Sequence, residues 1–351
     1  MNKILLEDFE HIYSSGLPVE EFKDSAIVIT GATGLVGSML VRTLLFCNRK
    51  NNLNMTIIAL VRSIKKAENI FFEYLSDESL KFVVADLSKD EICVECDVDY
   101  IIHAASVTTS KIMIDKPVET IITAIFGTDK VLRFAVSKNI RSLVYISSME
   151  VYGSFDSNDK HITEEQQGYV NPLVVRSNYP QSKRMCENMC IAYLSEYGVP
   201  VKIARLAQTF GAGILSTENR VFAQFARSAI KKENIVLHTL GKSEGNYSYL
   251  CETVEALLLI LLKGKNGEAY NVSNEECHTT IADMAQMVAN EITKGEIKVV
   301  FDIPENNSYG YAADTHMILS SDKLKVLGWN PRIGLKEAYQ RMIKYIIDEE
   351  I

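Results

Sequence analysis

Residues 26–38 read "AIVITGATGLVGS", an apolar run that goes straight into Gly31, Gly34 and Gly37 and then into an amphipathic stretch. A strand, a tight glycine turn and a helix start in so short a span leave the chain little choice of architecture. Glycines let the backbone turn sharply and come close to a bound group, and the helix N-terminus favours the charge of a pyrophosphate there.

The same rhythm continues. "MTIIALV", "LKFVVAD", "VDYIIHAAS" and "RSLVYISS" are apolar strands, separated by helical stretches near 65–75 and over 117–138. Continuous apolar strands alternating with helices predict a parallel sheet covered on both faces, a doubly wound Rossmann-type α/β fold. The helix holding "YPQSKRMCENMCIAYLSEYG" and the strand "VPVKIARL" extend it. After Gly211 the elements shorten. The expected organisation is a helical extension over 1–24, a dinucleotide-binding domain over 25–210 and a smaller C-terminal α/β substrate-binding region over 211–351.

Composition removes several classes of function. At 351 residues and 47% hydrophobic, the chain can bury a sizeable core without staples. Its longest apolar run, Ala256 to Leu262, is far short of the ~20 residues that span a bilayer. A formal charge of −8 opposes nucleic-acid binding, which needs a basic footprint. Seven scattered cysteines suit a reducing compartment, so a cytoplasmic location is expected. Cys93 and Cys96 lack the second pair that a zinc site needs, and no metal is expected. Cys186 and Cys190, four apart on a helix, read as one buried face.

Tyr179 and Lys183 in "YPQSK" are also four apart and project from one helix face. An ammonium beside a phenol favours the phenolate, which would fit Tyr179 for proton transfer. The preceding strand ends in "ISSMEVYG", where Ser147 and Ser148 offer hydroxyls.

With "TGATGLVG", "DYIIHAAS", "GTDKVL", "ISSMEVYG", "YPQSKR", "ARLAQTFGAG", "EAYNVSN" and "LGWNPRIGL" in this order, the sequence resembles the extended short-chain dehydrogenase/reductases, the NAD-dependent epimerase/dehydratase family of nucleotide-sugar enzymes, over roughly residues 25 to 347. The resemblance implies that Ser148 and Tyr179 bind the reacting oxygen, with Tyr179 as acid/base and Lys183 lowering its pKa. The expected cofactor contacts are Gly31, Thr33, Gly34, Leu35, Val36, Gly37, Arg62, Asp86, Leu87, Ala104, Ala105, Ser106, Tyr179 and Lys183. Thr108, Ser148, Gln208 and Arg220 are the expected substrate contacts, the substrate being a nucleotide-activated sugar. His103 is expected to line the cofactor by its backbone. A homodimer is the family expectation.

Four departures from the family pattern discriminate further. In "IIALVRS", Val61 and Arg62 stand where NAD-recycling members often have an acid, and Arg62 with Ser63 would suit the 2′-phosphate of NADP(H); the other reading is a solvated helix start, with NAD(H) as cofactor. Glu150, two residues after Ser148, would share its face if the strand alternation persists, and matches the glutamate of dehydratases and decarboxylases. Met149 replaces the extra acid or hydroxyl common in dehydratases. Gly245 and Asn246 leave out an arginine that reaches the nucleotide in many members, for which Arg205, Arg220, Lys242 or Arg332 are candidate replacements. The expectation is therefore NADPH-dependent reduction of a keto-sugar, with an epimerase, decarboxylase or 4,6-dehydratase that recycles NAD as the alternative. The intact Ser148, Tyr179 and Lys183 set argues against a non-catalytic binding protein.

Overall fold

The structure, a computed structural model, describes residues 1–155, 161–304 and 315–349. In chain order its main elements are α1 (Lys3–Tyr13), β1 (Ala26–Thr30), α2 (Leu35–Asn51), β2 (Thr56–Val61), β3 (Leu80–Val84), β4 (Tyr100–His103), α3 (Pro117–Lys138), β5 (Ser142–Ser148), α4 (Asn178–Tyr197), β6 (Val201–Leu206), α5 (Leu250–Lys263), β7 (Ala269–Val272) and α6 (Leu335–Glu349).

The seven strands form one sheet in the order β7-β6-β5-β4-β1-β2-β3, every pair parallel. This is the doubly wound arrangement expected from the sequence. The apolar runs have a direct cause in β1, whose Ile27 and Ile29 enter the core shared with α2 and α5, while Ala26 and Val28 enter the core shared with α3 and α4. Both faces are covered, so apolar residues fill β1 up to Thr30, whose hydroxyl is satisfied at the strand end.

Two elements beyond residue 211 join this layer. Helix α5 is buried at every position from Leu250 to Leu261, and it packs on β5, β6, α1 and α2; β7 completes the sheet edge beside β6. The shorter pieces lie around them: a sheet of Gln208–Phe210, Glu244–Tyr249 and His278–Thr280, and two strand pairs, Ile235–Leu237 with Val299–Phe301 and His161–Ile162 with Ile318–Leu319. In the N-terminal segment α1 contributes Ile4, Leu5, Phe9 and Ile12 to the main core. Among the described residues no helix is long and apolar enough to cross a membrane.

Successive strands run outward in both directions from β1 and β4, so the crevice beyond the carboxyl ends of these two is the switch point where ligands bind in such sheets. Gly31, Ala104 and Ala105 all stand there.

Candidate active site

At the switch point two loops press together. Thr30 is buried, its hydroxyl hydrogen-bonded with Nδ1 of His103 at 2.7 Å and accepting from the Ala105 amide at 3.1 Å. Gly31 has φ +65°, and a Cβ there would sit 2.7 Å from the Ala105 nitrogen. A Cβ on Gly37 would lie 2.3 Å from the Gly31 carbonyl oxygen, so only glycine lets α2 seat against the turn. Gly34 caps α2 with its amide donating to the Gly31 carbonyl at 2.9 Å. Thr33, Leu35 and Val36 are partly exposed at the mouth. A glycine-floored cradle opening onto the N-terminus of a long helix fits the pyrophosphate of a dinucleotide.

The His103 ring is committed on both nitrogens. Thr128 occupies its Nε2 at 3.3 Å, and burial with the nearby Lys183 charge pushes its pKa down to about 3, so it is a neutral wedge between loops.

At the end of β2, Val61 is buried and Arg62 is exposed. Ser63 caps the next helix, its hydroxyl accepting from the Lys66 amide at 3.4 Å. Asp86 is held below the usual carboxylate range, first by the Ser88 hydroxyl at 2.7 Å, and the Arg62 charge nearby acts in the same direction. One Asp86 oxygen is thus committed to a turn, and Leu87 is buried against α3 beside Gly127.

The reacting centre is built by α4 lying along the end of β5. Three residues of one helix face, one turn apart, meet three consecutive strand residues. The Tyr179 phenol lies beside the hydroxyls of Ser148 and Ser106. Lys183 donates from Nζ to the Ile146 carbonyl at 2.7 Å. Glu187 accepts from the Ser147 hydroxyl at 2.6 Å. Cys186 and Cys190 are buried on the same helix, as their spacing predicts.

Electrostatics differ from the expectation. Burial, reinforced by the Glu150 charge, pushes the Tyr179 phenol up to about 12, although Ser148, Arg176 and Ser106 oppose it. Lys183, buried against the Tyr145 ring at 4.8 Å, is itself pushed down to about 8. In the protein alone, removal from water is the largest influence on both groups.

Glu150 departs from the expected strand alternation. The Ser148 hydroxyl accepts from the Glu150 amide at 3.2 Å and caps a 3₁₀ turn, Met149–Tyr152, which replaces the pleat. Glu150 instead pairs with Arg176, Nη2 to Oε1 at 2.9 Å, and the Arg176 guanidinium lies 5.7 Å from the Tyr179 ring centre. Sequence reasoning missed Arg176. Its signal was available: positions 176, 179 and 183 follow the i, i+3, i+7 spacing of one helix face.

Arg205 is no phosphate ligand. It is buried, its Nε and Nη2 donating to Glu187 at 3.0 and 2.7 Å and its Nη1 to the Tyr152 hydroxyl and the Glu164 carbonyl. Arg220 is neutralised by Glu218 through Nε at 3.0 Å and Nη2 at 2.7 Å. Arg332 and Lys242 are exposed. Gln208 is partly buried on its short strand, and Thr108 is exposed near the start of a short helix. Gly245 backs onto Met149, whose methyl carbon would be 3.7 Å from a Cβ at 245. Asn246 is consumed by backbone, donating to the Asn274 carbonyl and accepting from the Leu319 amide.

Comparison with known proteins gives three findings of one kind. The family model described as "NAD dependent epimerase/dehydratase family" matches residues 27–273. The chain is similar to UDP-glucuronic acid decarboxylase 1 of Danio rerio, 28% identical over 326 residues that make up 92% of this chain and 73% of that protein. It is 29% identical to UDP-glucuronic acid decarboxylase 6 of Arabidopsis thaliana over 90% of this chain and 87% of that one. In fold it is similar to a UDP-glucuronic acid 4-epimerase from Bacillus cereus, solved with UDP-glucuronic acid and NAD, with TM-score 0.74, 18% identity and coverage of 92% and 99%.

Proposed function

Because the chain belongs to the NAD-dependent epimerase/dehydratase family, we propose that it oxidises a nucleotide-linked uronic acid transiently at a ring hydroxyl and reduces the product again, with one NAD kept bound. The observation that carries this reading is the convergence of Ser148, Tyr179 and Lys183 with Glu150 at the mouth of the glycine cradle. The names of the relatives, decarboxylases of UDP-glucuronic acid, support the substrate class.

When bound, the nicotinamide supplies the hydride acceptor and then the donor. The residues do the rest. Ser148 and Tyr179 hold the reacting oxygen, and Tyr179 takes its proton as the alcohol becomes a carbonyl and returns one on the way back. Lys183 holds the end of β5 through Ile146 and places positive charge behind the phenol. Glu150 stands beside this centre as a second base.

This reverses the order of the two readings drawn from the sequence. Net reduction with NADPH rests on Val61 and Arg62 alone, whereas the family's own description names NAD. The test is to release the cofactor of the purified protein by denaturation, identify it, and incubate fresh protein with UDP-glucuronic acid and no added reductant. We expect NAD and a product of altered sugar. Product formed only with stoichiometric consumption of NADPH would overturn the proposal and restore Arg62 as a phosphate ligand.

We also propose that a second copy of this chain covers the outer face of α3 and α4. There Val118, Phe126 and Met185 are each more than half exposed and Leu173 is 92% exposed, around a groove of about 650 Å³. Sedimentation should show a dimer, and Phe126→Glu with Met185→Glu should give monomers; a monomeric parent protein refutes this.

A further inference from the structure

Of four arginines that could offer a cation to a substrate, three are held by partners of their own. Arg205 is buried in its pair with Glu187, Arg184 gives its donors to the carbonyls of Val151, Tyr152 and Gly168, and Arg220 is held by Glu218. Arg176 differs. It projects from the 3₁₀ turn Val175–Ser177 at the entrance of α4, its side chain is 29% exposed, and its one hydrogen bond among the described residues, of five possible N–H donors, goes to Glu150, itself 36% exposed. The guanidinium is 5.7 Å from the centre of the Tyr179 ring, so a group bound to it is next to the reacting oxygen. Position 245, on the strand Glu244–Tyr249, is a glycine facing the methyl of Met149, so no cation reaches the centre from there.

We propose that Arg176 is the residue that selects the substrate's carboxylate, exchanging Glu150 for it. The proposal rests on the reading above that a nucleotide-linked uronic acid binds this site. With the reacting hydroxyl held by Ser148 and Tyr179, a carboxylate on the adjacent ring carbon is within reach of Arg176, whose guanidinium lies 5.7 Å from the Tyr179 ring centre. An exposed ion pair such as Arg176–Glu150 is worth at most about 1 kcal/mol, so it yields readily to a ligand. A planar carboxylate can take two parallel donors of the guanidinium where Glu150 takes one. The exchange leaves Glu150 without its counter-ion beside the sugar.

Calorimetric titration of the full-length, NAD-loaded protein with UDP-glucuronic acid and with UDP-glucose tests this in the parent and in Arg176→Ala, Arg176→Gln and Glu150→Gln. The parent should bind the uronic acid about 10- to 100-fold more tightly than the glucose compound, the range of a charge-assisted hydrogen-bond pair. Both Arg176 variants should lose this ratio by weakening the uronic acid alone. Glu150→Gln should widen it, because the competitor for Arg176 has lost its charge. Equal weakening of both ligands, or an unchanged ratio, would overturn the role of Arg176 while leaving the proposed reaction standing. Binding of neither ligand by the parent protein would overturn both.

Discussion

Tyr179 is placed where its hydroxyl is useful and its ionisation is disfavoured. Burial and Glu150 hold the phenol at about 12 in the protein alone, so it is a proton donor by default, and a base only when positive charge is brought close. Removing the hydroxyl removes the proton path and leaves the cradle of Gly31, Gly34 and Gly37 untouched. Tyr179→Phe is therefore expected to lower kcat by about 10²- to 10⁴-fold, the usual worth of a positioned acid/base group, with NAD affinity unchanged in a parallel titration. Unaltered turnover would remove Tyr179 from the reaction. The opposite test applies to Arg62, which starts an exposed run over 62–66: Arg62→Ala should leave NAD affinity as it is, because a solvated side chain has little to lose.

At the scale of elements, the unit that matters is α4 fastened to the end of β5. Tyr179, Lys183 and Glu187 repeat every four residues, and each finds a partner in the three-residue stretch Ile146, Ser147, Ser148. Behind them Arg205 on β6 closes the arrangement by holding Glu187 from the far side at 2.7 Å. Glu187→Gln leaves the Arg205 charge buried without a counter-charge, which typically costs 3–5 kcal/mol. Denaturant unfolding should show that loss, and Glu187→Met with Arg205→Met should recover most of it; a neutral Glu187→Gln would mean that water reaches Arg205. The sequence revealed half of this unit. Tyr179 and Lys183 were legible because helical spacing is a local property, and the strands were legible because β1 is buried on both faces. The pairing of Glu187 with Arg205 was not, since it joins elements whose approach is set only by the sheet order. The backbone at Glu150 was not legible for a related reason: alternation describes a strand, and the strand ends at Ser148, two residues before Glu150.

For the whole molecule, stability depends on acids buried where the two ends of the chain meet. Asp8 of α1 is completely buried, accepting from the Tyr249 hydroxyl at 2.9 Å and from Arg341 of α6 at 2.8 Å, yet burial still raises its pKa to about 6. On α5, Glu252 and Glu255 are each raised to about 7, first by burial and, for Glu255, by the Glu252 charge, with Arg332 pulling the other way and His11 3.8 Å from Glu255. A carboxyl whose folded pKa lies above its unfolded value binds more protons folded than unfolded between the two, so stability falls as pH rises through that window. For these groups the window runs from about 4 to about 7. Carboxylates held low, such as Glu218 with Arg220 and Glu275 with Lys325, act in the opposite sense and only below it. The melting temperature should accordingly peak near pH 5 and decline toward pH 8. Glu255→Gln keeps a hydrogen-bond acceptor for Ser15 and removes one buried charge, so it should change the pH 5 value by less than about 1 kcal/mol and stabilise the protein at pH 8 by about 3 kcal/mol, the rise from 4.5 to about 7 being worth about 1.4 per pKa unit. Calorimetry across this range decides it: a variant that declines as steeply as the parent would mean that Glu255 is ionised and hydrated in the folded chain.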